Sequence, residues 1–368
     1  MASEVFKAPP VNTRNWVDLE KFRENLNFLP KEKKKEFADQ QYKRLRERDL
    51  LRYIESAKYR CSYCGARFPS LDIDHFYPKG ATVHYKGFDS AILSLYEGIY
   101  APVNAEGVPN FTFDDYRSDD GRKNYIERAV DPDNLIPACP FCNTRRRVLM
   151  FDGTVSVRGK HDRFPLVDGE EGVRREALLH PGKVTWRTLL EAYAFQDVDD
   201  SERVEKLQVH DRGSVRLTLI LPRPEGGDPL SQALRVQAAV TIELLGLNRK
   251  TLCEGRYQDR RALRAFLGRK EKILCDGFPE RDGQAGSEGN IFLETDSFVR
   301  KIQKFPQAFR WAVQIKETIA KSSYRLALLD VLREWLNQDG LMSGTQNRKS
   351  ESEGNNLFDS LDVGRFMG

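Results

Sequence analysis

Apolar and polar residues follow a helical period near the start of the chain and a strand period farther along. Residues 17–28 and 31–57 predict two helices, preceded by an irregular arm at residues 1–15. Residues 71–76 (LDIDHF) alternate between apolar and polar side chains, which predicts a half-buried strand. Between residues 81 and 130 the periodicity is weak, so we expect an insertion of loops and short helices there.

The second half of the chain is predicted to change from loops and strands to helices. Residues 148–169 contain several glycines and are expected to form a loop. Residues 203–222 predict a hairpin with its turn at residues 211–213. Helical spacing starts at Ser231 and breaks near Asn248, which is expected to cap the next helix.

The end of the chain carries two further signals. Apolar residues at helical spacing predict a last amphipathic helix around residues 328–336. Residues 276–290 are expected to form a linker, and residues 298–305 another helix. The Ser-, Asn- and Gly-rich residues 343–368 are expected to be disordered.

The composition is typical of a soluble, globular protein, since 40% of the 368 residues are apolar and 31% are charged. A formal charge of +4, from 59 basic and 55 acidic residues, is compatible with nucleic-acid binding without arguing for it. No run of apolar residues approaches the length of about 18 that spans a bilayer, and the first residues contain no apolar signal segment. We therefore expect a cytoplasmic protein that does not enter a membrane.

Four cysteines form two CxxC pairs, Cys61 with Cys64 and Cys139 with Cys142. In a reducing compartment such pairs indicate either metal ligands or redox chemistry rather than structural disulfides. Two pairs together have the spacing of a tetrahedral zinc site, so we expect structural Zn²⁺. The metal would pin two distant segments and contribute directly to folding.

An Asp-His dipeptide, Asp74-His75, follows the first cysteine pair. Neutral imidazole is the obvious general base near pH 7, and a carboxylate is a good ligand for Mg²⁺ or Mn²⁺. Adjacent strand residues point to opposite faces, so a bulge or a strand end is needed for both side chains to reach one site.

Two asparagines flank the second cysteine pair: Asn134 and Asn143. Taken alone, each is a common turn or cap residue. Asn143 is expected in the first turn of a helix that continues through three arginines, where its amide oxygen can coordinate a metal while the arginines face phosphate. The candidate nucleic-acid contacts are Lys79, Arg145, Arg146 and Arg147. The basic residues of the helix at 31–57 are either a solvated face or a further phosphate-facing surface.

The pattern C-x-x-C…D-H…N-L…C-x-x-C-N-x-x-[KR] resembles the HNH endonuclease family, which has the ββα-metal fold. The resemblance implies that His75 is the general base and that Asp74 and Asn143 hold a catalytic Mg²⁺ or Mn²⁺. It also implies that Asn134 orients the histidine and braces its loop. Many members have histidine at the position of Asn143, and Asn suits Mg²⁺ better than imidazole does.

Three later segments resemble the HNH proteins that accompany ATPases in bacterial anti-phage systems of the Septu and retron type. They are residues 160–166 (KHDRFPL), 178–181 (LLHP) and 243–256 (ELLGLNRKTLCEGR). The chain has no GxxxxGK[ST] phosphate loop, so any ATP would have to be bound by a partner protein. The resemblance therefore implies an ATPase partner and a role in antiviral defence.

Together these features predict an α+β protein with an HNH core, N-terminal helices and a mostly helical C-terminal region. The expected boundaries are 1–57 for the arm and helices, 58–165 for the nuclease domain with its insertion, 166–342 for the mixed and then helical region, and 343–368 for the tail.

The expected activity is metal-dependent hydrolysis of phosphodiester bonds in DNA, with RNA as the alternative substrate. One such site serves one strand, so cutting both strands would need a homo-oligomer or two binding events. The rival from another class is a non-catalytic, zinc-stabilised nucleic-acid-binding or adaptor protein. That rival keeps the four cysteines but does not need Asp74, His75 and Asn143 together, so their joint presence favours the enzyme.

Overall fold

The computed structural model describes residues 17–45, 50, 54–55, 59–80, 84–85, 87–97, 111–118, 125–168, 174–184, 188–189, 192–198, 213–220, 232–277, 314–315, 317–319, 321–322 and 324–338. The chain divides into two compact units, one covering residues 5–254 and the other beginning at Gly255. It is a mixed α/β protein with small antiparallel sheets. None of the described helices is long and apolar enough to cross a membrane.

Helices lie near both ends of the described chain and strands lie mainly between them. The α-helices are α1 (Leu19–Phe28), α2 (Lys31–Leu45), α3 (Asp89–Glu97), α4 (Pro140–Asn143), α5 (Gln232–Leu245), α6 (Lys250–Gly277) and α7 (Arg325–Gln338). Short 3₁₀ turns cover Phe113–Tyr116, Ile126–Arg128 and Pro132–Asn134.

The strands pair two by two. They are β1 (Asp72–His75), β2 (His84–Tyr85), β3 (Arg117–Ser118), β4 (Leu135–Ala138), β5 (Arg146–Leu149), β6 (Val155–Arg158), β7 (Leu166–Asp168), β8 (Arg174–Glu176), β9 (Tyr193–Val198) and β10 (Ser214–Leu219). Among the described residues the antiparallel pairs are β1 with β4, β2 with β3, β5 with β6, β7 with β8, and β9 with β10. The short α3 and the 3₁₀ turns agree with the short helices expected from residue 81 to residue 130, whereas the β2–β3 pair was not predicted.

The two N-terminal helices are confirmed where the structure describes them. Asp18 caps α1, because its side chain accepts the N–H groups of Glu20 and Lys21. Phe22 and Leu26 of α1 pack into a core that also contains the residues just before β4. The second helix is described as far as Leu45, and most of the predicted remainder to residue 57 lies outside the described residues.

The β1–β4 pair brings together the two segments that carry the predicted site. Asp72 lies opposite Ala138 and His75 lies opposite Leu135. All four residues of β4 are buried. The strand predicted at β1 is present, but its burial does not alternate: it passes from exposed Asp72 to buried Asp74 and His75. His75 is the last residue of β1, so the strand end required at residues 74–75 is present.

The predicted helix through the three arginines is wrong. Helix α4 starts at Pro140, whose missing N–H suits the first turn, and it ends after this single turn at Asn143, before the arginines. β-Branched Thr144 has an extended backbone, and β5 begins at Arg146. The arginines therefore lie on a connection and a strand, and Val148 supplies the buried position of that strand.

The loop expected at residues 148–169 is also wrong in part, because its first half forms the β5–β6 hairpin. Asp152 closes the turn by accepting the N–H and the hydroxyl of Thr154. Gly153 has a φ of 86°, which glycine adopts without strain. The Asp-Gly turn between apolar strands was the signal for this hairpin.

The second strand of the hairpin predicted at residues 203–222 is confirmed as β10, and its described partner is the earlier strand β9. The predicted first strand and turn lie outside the described residues. Asn248 follows the break after α5 as predicted, yet it does not cap α6. Its amide instead bonds to both the N–H and the carbonyl of Leu217 in β10, like a short piece of strand.

In the second unit, α7 confirms the last predicted helix. Arg260 forms a buried ion pair with Asp330, Nη1 to Oδ2, and a second one with Glu334. The helix expected at residues 298–305, the tail at residues 343–368, and the linker at 276–290 beyond Gly277 all lie outside the described residues.

Candidate active site

The four cysteines of the two CxxC pairs converge on one buried point, where their Sγ atoms all lie within 4.8 Å of one another. Cys64 Sγ and Cys139 Sγ are 3.9 Å apart, too far for a disulfide bond of about 2.05 Å. A tetrahedral zinc ion with Zn–S bonds of about 2.3 Å separates its sulfurs by about 3.8 Å. The cluster can therefore hold a metal such as zinc.

Two tight turns present these sulfurs. In the first, the N–H of Gly65 donates to the carbonyl of Cys61, and Gly65 has a φ of 74°. In the second, the N–H groups of Cys142 and Asn143 donate to the carbonyl of Cys139. The N–H of Ser62 donates to Pro137 in β4 and thereby joins the two turns without any metal.

Arg249, in the turn between α5 and α6, covers the cysteine cluster. Its Nη2 lies 3.4 Å from Cys64 Sγ, and its Nη1 lies 3.8 Å from Cys142 Sγ. Burial lowers the pKa of this guanidinium, but the charge of the cysteine sulfurs outweighs burial and raises it above its ordinary value. A zinc ion with four thiolates carries two net negative charges, so Arg249 would neutralise part of that charge.

His75 makes one defining hydrogen bond, between Nε2 and the carbonyl oxygen of Ala129 at 2.9 Å. A carbonyl only accepts, so Nε2 must carry the proton and Nδ1 keeps its lone pair. Burial, helped by the charge of Lys79, lowers the pKa of His75 to about 4. The imidazole is therefore neutral at pH 7 and has the protonation state of a general base.

Helix α2 contributes the surroundings of this histidine. The rings of Tyr42 and His75 have centroids 4.7 Å apart. Lys79 Nζ lies 2.6 Å from Asp39 Oδ1 of the same helix and 4.6 Å from the centre of the Tyr42 ring. Lys79, predicted as a phosphate contact, is thus engaged by a carboxylate and an aromatic ring, and His75 is only 9% exposed.

Asp74 points to the other side of β1, as strand geometry requires. Its Oδ2 accepts the hydroxyl of Tyr63 at 2.6 Å, and its Oδ1 lies 3.0 Å from the Nζ of Lys160. Lys160 also donates to the carbonyl of His75 at 2.6 Å. Burial raises the pKa of Asp74, and the charge of Lys160 opposes that rise.

This arrangement does not fit a divalent cation held by Asp74 and Asn143. Both oxygens of Asp74 already have partners, and the Lys160 ammonium would repel a cation placed there. The amide nitrogen of Asn143 instead lies 3.5 Å from Oδ2 of Asp72, which is exposed. The Mg²⁺ or Mn²⁺ site therefore stays a prediction.

Asn134 is almost fully buried and braces the loop beside His75. Its Oδ1 accepts the N–H of Tyr77, while its Nδ2 donates to the carbonyls of Tyr77 and Arg128. These bonds join the turn after His75 to the segment that carries Ala129, the partner of the imidazole.

The three arginines predicted to face phosphate are exposed at the start of the β5–β6 hairpin. Arg145 forms an ion pair with Asp114 at 2.8 Å. Arg146 donates to the hydroxyl of Thr144 and also lies over the ring of Phe141. Arg147 is exposed and forms no ion pair with any described residue.

Sequence reasoning missed three buried residues of the site, although each lies in a segment noted for its resemblance. Lys160 bonds to Asp74, and Arg249 covers the cysteines. His180 donates from Nε2 to the carbonyl of Asp133 at 2.8 Å and accepts the N–H of Gly182 at Nδ1. Their partners lie far away in the sequence, so no local pattern identified them.

No significant match to the chain was found among protein-family models, curated proteins or solved structures.

Proposed function

We propose that this protein is an HNH-type endonuclease that hydrolyses phosphodiester bonds in DNA, with His75 as the general base. The observation that carries the proposal is the bond from His75 Nε2 to the Ala129 carbonyl. It fixes the tautomer in which Nδ1 is free to accept a proton, and the lowered pKa keeps the ring neutral.

The local architecture supports a ββα-metal core. Antiparallel strands β1 and β4 are followed at once by α4, and the histidine lies at the end of the first strand. The two cysteine turns flank these elements, so structural zinc would hold β1 and α4 together. Asn134 plays the bracing part that the family resemblance implies.

In the proposed reaction, Nδ1 of His75 takes a proton from a water molecule as the water oxygen attacks phosphorus. The bond from phosphorus to the 3′ oxygen breaks, and that oxygen takes a proton from solvent. The products carry a 5′-phosphate and a 3′-hydroxyl. The proposal also includes a requirement for Mg²⁺ or Mn²⁺, which the resemblance to the HNH family implies.

The test is cleavage of supercoiled plasmid in Mg²⁺ or Mn²⁺ by wild type, His75→Ala and His161→Ala, with zinc content measured on the same samples. His161 is an exposed histidine of the same unit, paired with Asp162, and serves as the matched control. We expect cleavage to vanish in His75→Ala and in EDTA, to persist in His161→Ala, and about one zinc per chain to remain in both variants. Cleavage by His75→Ala at the wild-type rate would refute the assignment.

One observation favours a second candidate, a zinc-stabilised adaptor or nucleic-acid-binding protein without catalysis. The imidazole is largely covered by α2, and Asp74 is paired with Lys160. Zinc-loaded wild type that binds DNA but never cuts it, with or without a partner, would support this candidate.

The proposed setting is bacterial anti-phage defence with an ATPase partner. It rests on the three later segments, each of which places a residue in or beside the site: Lys160, His180 and Arg249. The test is the plasmid assay repeated with the ATPase encoded next to this protein. The proposal expects faster cleavage with ATP than without it, and an RNA substrate run in parallel separates DNA from RNA as the target.

A further inference from the structure

Phe141 is an aromatic side chain placed on the surface of the second cysteine turn. It lies between Cys139 and Cys142 and is 36% exposed, although both cysteines are buried. Its ring centre is 5.9 Å from that of Phe68, which follows the first cysteine turn. The two turns thus bring together an exposed aromatic ring, Phe141, and a half-buried one, Phe68.

Guanidinium groups surround this aromatic pair. Arg146 lies over the Phe141 ring at 5.9 Å, while Arg249 lies 5.3 Å from the same ring and against the cysteine cluster. Arg67, the residue before Phe68, is exposed. Within the described residues, neither Arg67 nor Arg146 forms an ion pair. We refer to Arg67, Phe68, Phe141 and Arg146 as the aromatic–arginine patch.

The patch is joined to the candidate catalytic strand. Asn143, two residues after Phe141 in α4, contacts Asp72 at the start of β1, and β1 ends at His75. A nucleic-acid strand on the patch would therefore lie on the same α4–β1 framework that carries the histidine.

We propose that the aromatic–arginine patch binds single-stranded DNA by stacking an unpaired base on Phe141. Every base has an apolar face that stacks on an aromatic ring, and the faces of paired bases are hidden inside a duplex. Exposed arginines neutralise phosphates without regard to sequence. The inference rests on the proposed function and narrows its substrate to DNA that is single-stranded, or locally unpaired, near the cut.

The chemistry of the patch distinguishes this occupant from others. An acidic protein partner would form ion pairs with the arginines. It would not require the exposed Phe141 ring, which guanidinium groups already flank. A duplex would use the arginines for its phosphates and leave Phe141 without a base to contact.

The test is fluorescence anisotropy with a labelled single-stranded DNA of mixed sequence, the matching duplex, and an RNA of the same sequence. All proteins carry His75→Ala and contain no added divalent cation, so that binding is measured without cleavage. Phe141→Ala is compared with Phe141→Trp and with Phe28→Ala. Phe28 is 88% exposed on α1 and provides a matched aromatic control.

We expect Phe141→Ala to weaken single-strand binding by about tenfold or more, Phe141→Trp to retain it, and Phe28→Ala to leave it unchanged. The His75→Ala parent should bind the single strand more tightly than the duplex, and zinc content should be equal in all variants. Binding unaffected by Phe141→Ala, equal losses for single strand and duplex, or a loss confined to RNA would each overturn the inference. Because no turnover is measured, such a failure leaves the His75 cleavage test intact.

Discussion

The rings of Tyr42 and His75 have centroids 4.7 Å apart, and His75 is only 9% exposed. Helix α2 also supplies Asp39, whose Oδ1 lies 2.6 Å from Lys79 Nζ. Lys79 lies beside the ring of Tyr42. A nearly buried imidazole restricts the access of water and a phosphodiester to Nδ1. We infer that α2 covers the site on which the proposed activity depends.

Removing the Tyr42 ring is expected to raise the cleavage rate. Tyr42→Ala would expose the imidazole, and recovery of about 1.4 kcal/mol of the activation barrier would increase the rate about tenfold. The measurement is initial cleavage of DNA by Tyr42→Ala, wild type and the control Phe28→Ala. A rate below wild type, with zinc and folding intact, would show that Tyr42 supports the histidine instead of covering it.

The buried Lys160–Asp74 pair is expected to matter for stability as a unit. Lys160→Met leaves the Asp74 carboxylate buried without its cation and should cost about 3–5 kcal/mol in the free energy of unfolding. The double variant Lys160→Met/Asp74→Asn should recover part of that loss. Urea unfolding monitored by circular dichroism provides these values.

The effects of Lys160→Met and Asp74→Asn on the free energy of unfolding should not add up to that of the double variant, because coupled residues deviate from additivity. Strict additivity would contradict the pairing. A separate pair of single variants, Asp72→Asn and Asp74→Asn, bears on the cation ligands. If Asp72→Asn lowers the Mg²⁺ dependence of cleavage more than Asp74→Asn does, the cation lies near Asp72 and Asn143, which are 3.5 Å apart.

Arg249 is expected to strengthen zinc binding through its contact with the sulfurs. Arg249→Met removes the positive charge that lies 3.4 Å from Cys64 Sγ, and we expect zinc affinity to fall by about 10- to 100-fold, as for other outer partners of metal ligands. Chelator competition measures this affinity, with exposed Arg147→Met as the control. If the two variants retain zinc equally, Arg249 does not contribute to zinc binding.

His180 is expected to make stability depend on pH. Burial lowers its pKa from 6.5 to about 4, so between these values the unfolded chain binds more protons than the folded one. The contribution of His180 to the free energy of unfolding is therefore complete above pH 6.5 and declines as the pH falls toward 4. Between pH 7.5 and pH 5 the loss is about 2 kcal/mol.

The non-titrating variant His180→Gln isolates this contribution. Its absolute stability should be lower, because the bonds to Asp133 and Gly182 are disturbed, but its stability should change less between pH 7.5 and pH 5. Urea unfolding at the two pH values gives the comparison. A parallel decline in variant and wild type would assign the pH dependence to other groups.

Much of the fold was predictable wherever the signal is local. The pattern of residues 17–28 gives α1, and alternation in LDIDHF gives β1. The CxxC spacing identified the four sulfurs that converge in space. In each case the residues that decide the structure are near one another in sequence.

The failures have a common physical origin in contacts that are distant along the chain. The arginine run is compatible with a helix by propensity, yet pairing with β6 makes it a strand. Asn248 is a good helix cap by type, yet it bonds to Leu217 in β10. Lys160 is an ordinary basic residue in its loop, and only the fold brings it to Asp74.

The most direct test of the proposed function is single-turnover cleavage of end-labelled single-stranded DNA by wild type and His75→Ala in Mg²⁺ or Mn²⁺, at equal zinc content. Loss of a general base predicts a rate lower by about 10²- to 10⁴-fold in His75→Ala, with DNA affinity unchanged and 5′-phosphate ends on the wild-type product. Cleavage rates that agree within a factor of about three would contradict the role of His75, because a general base contributes far more than that.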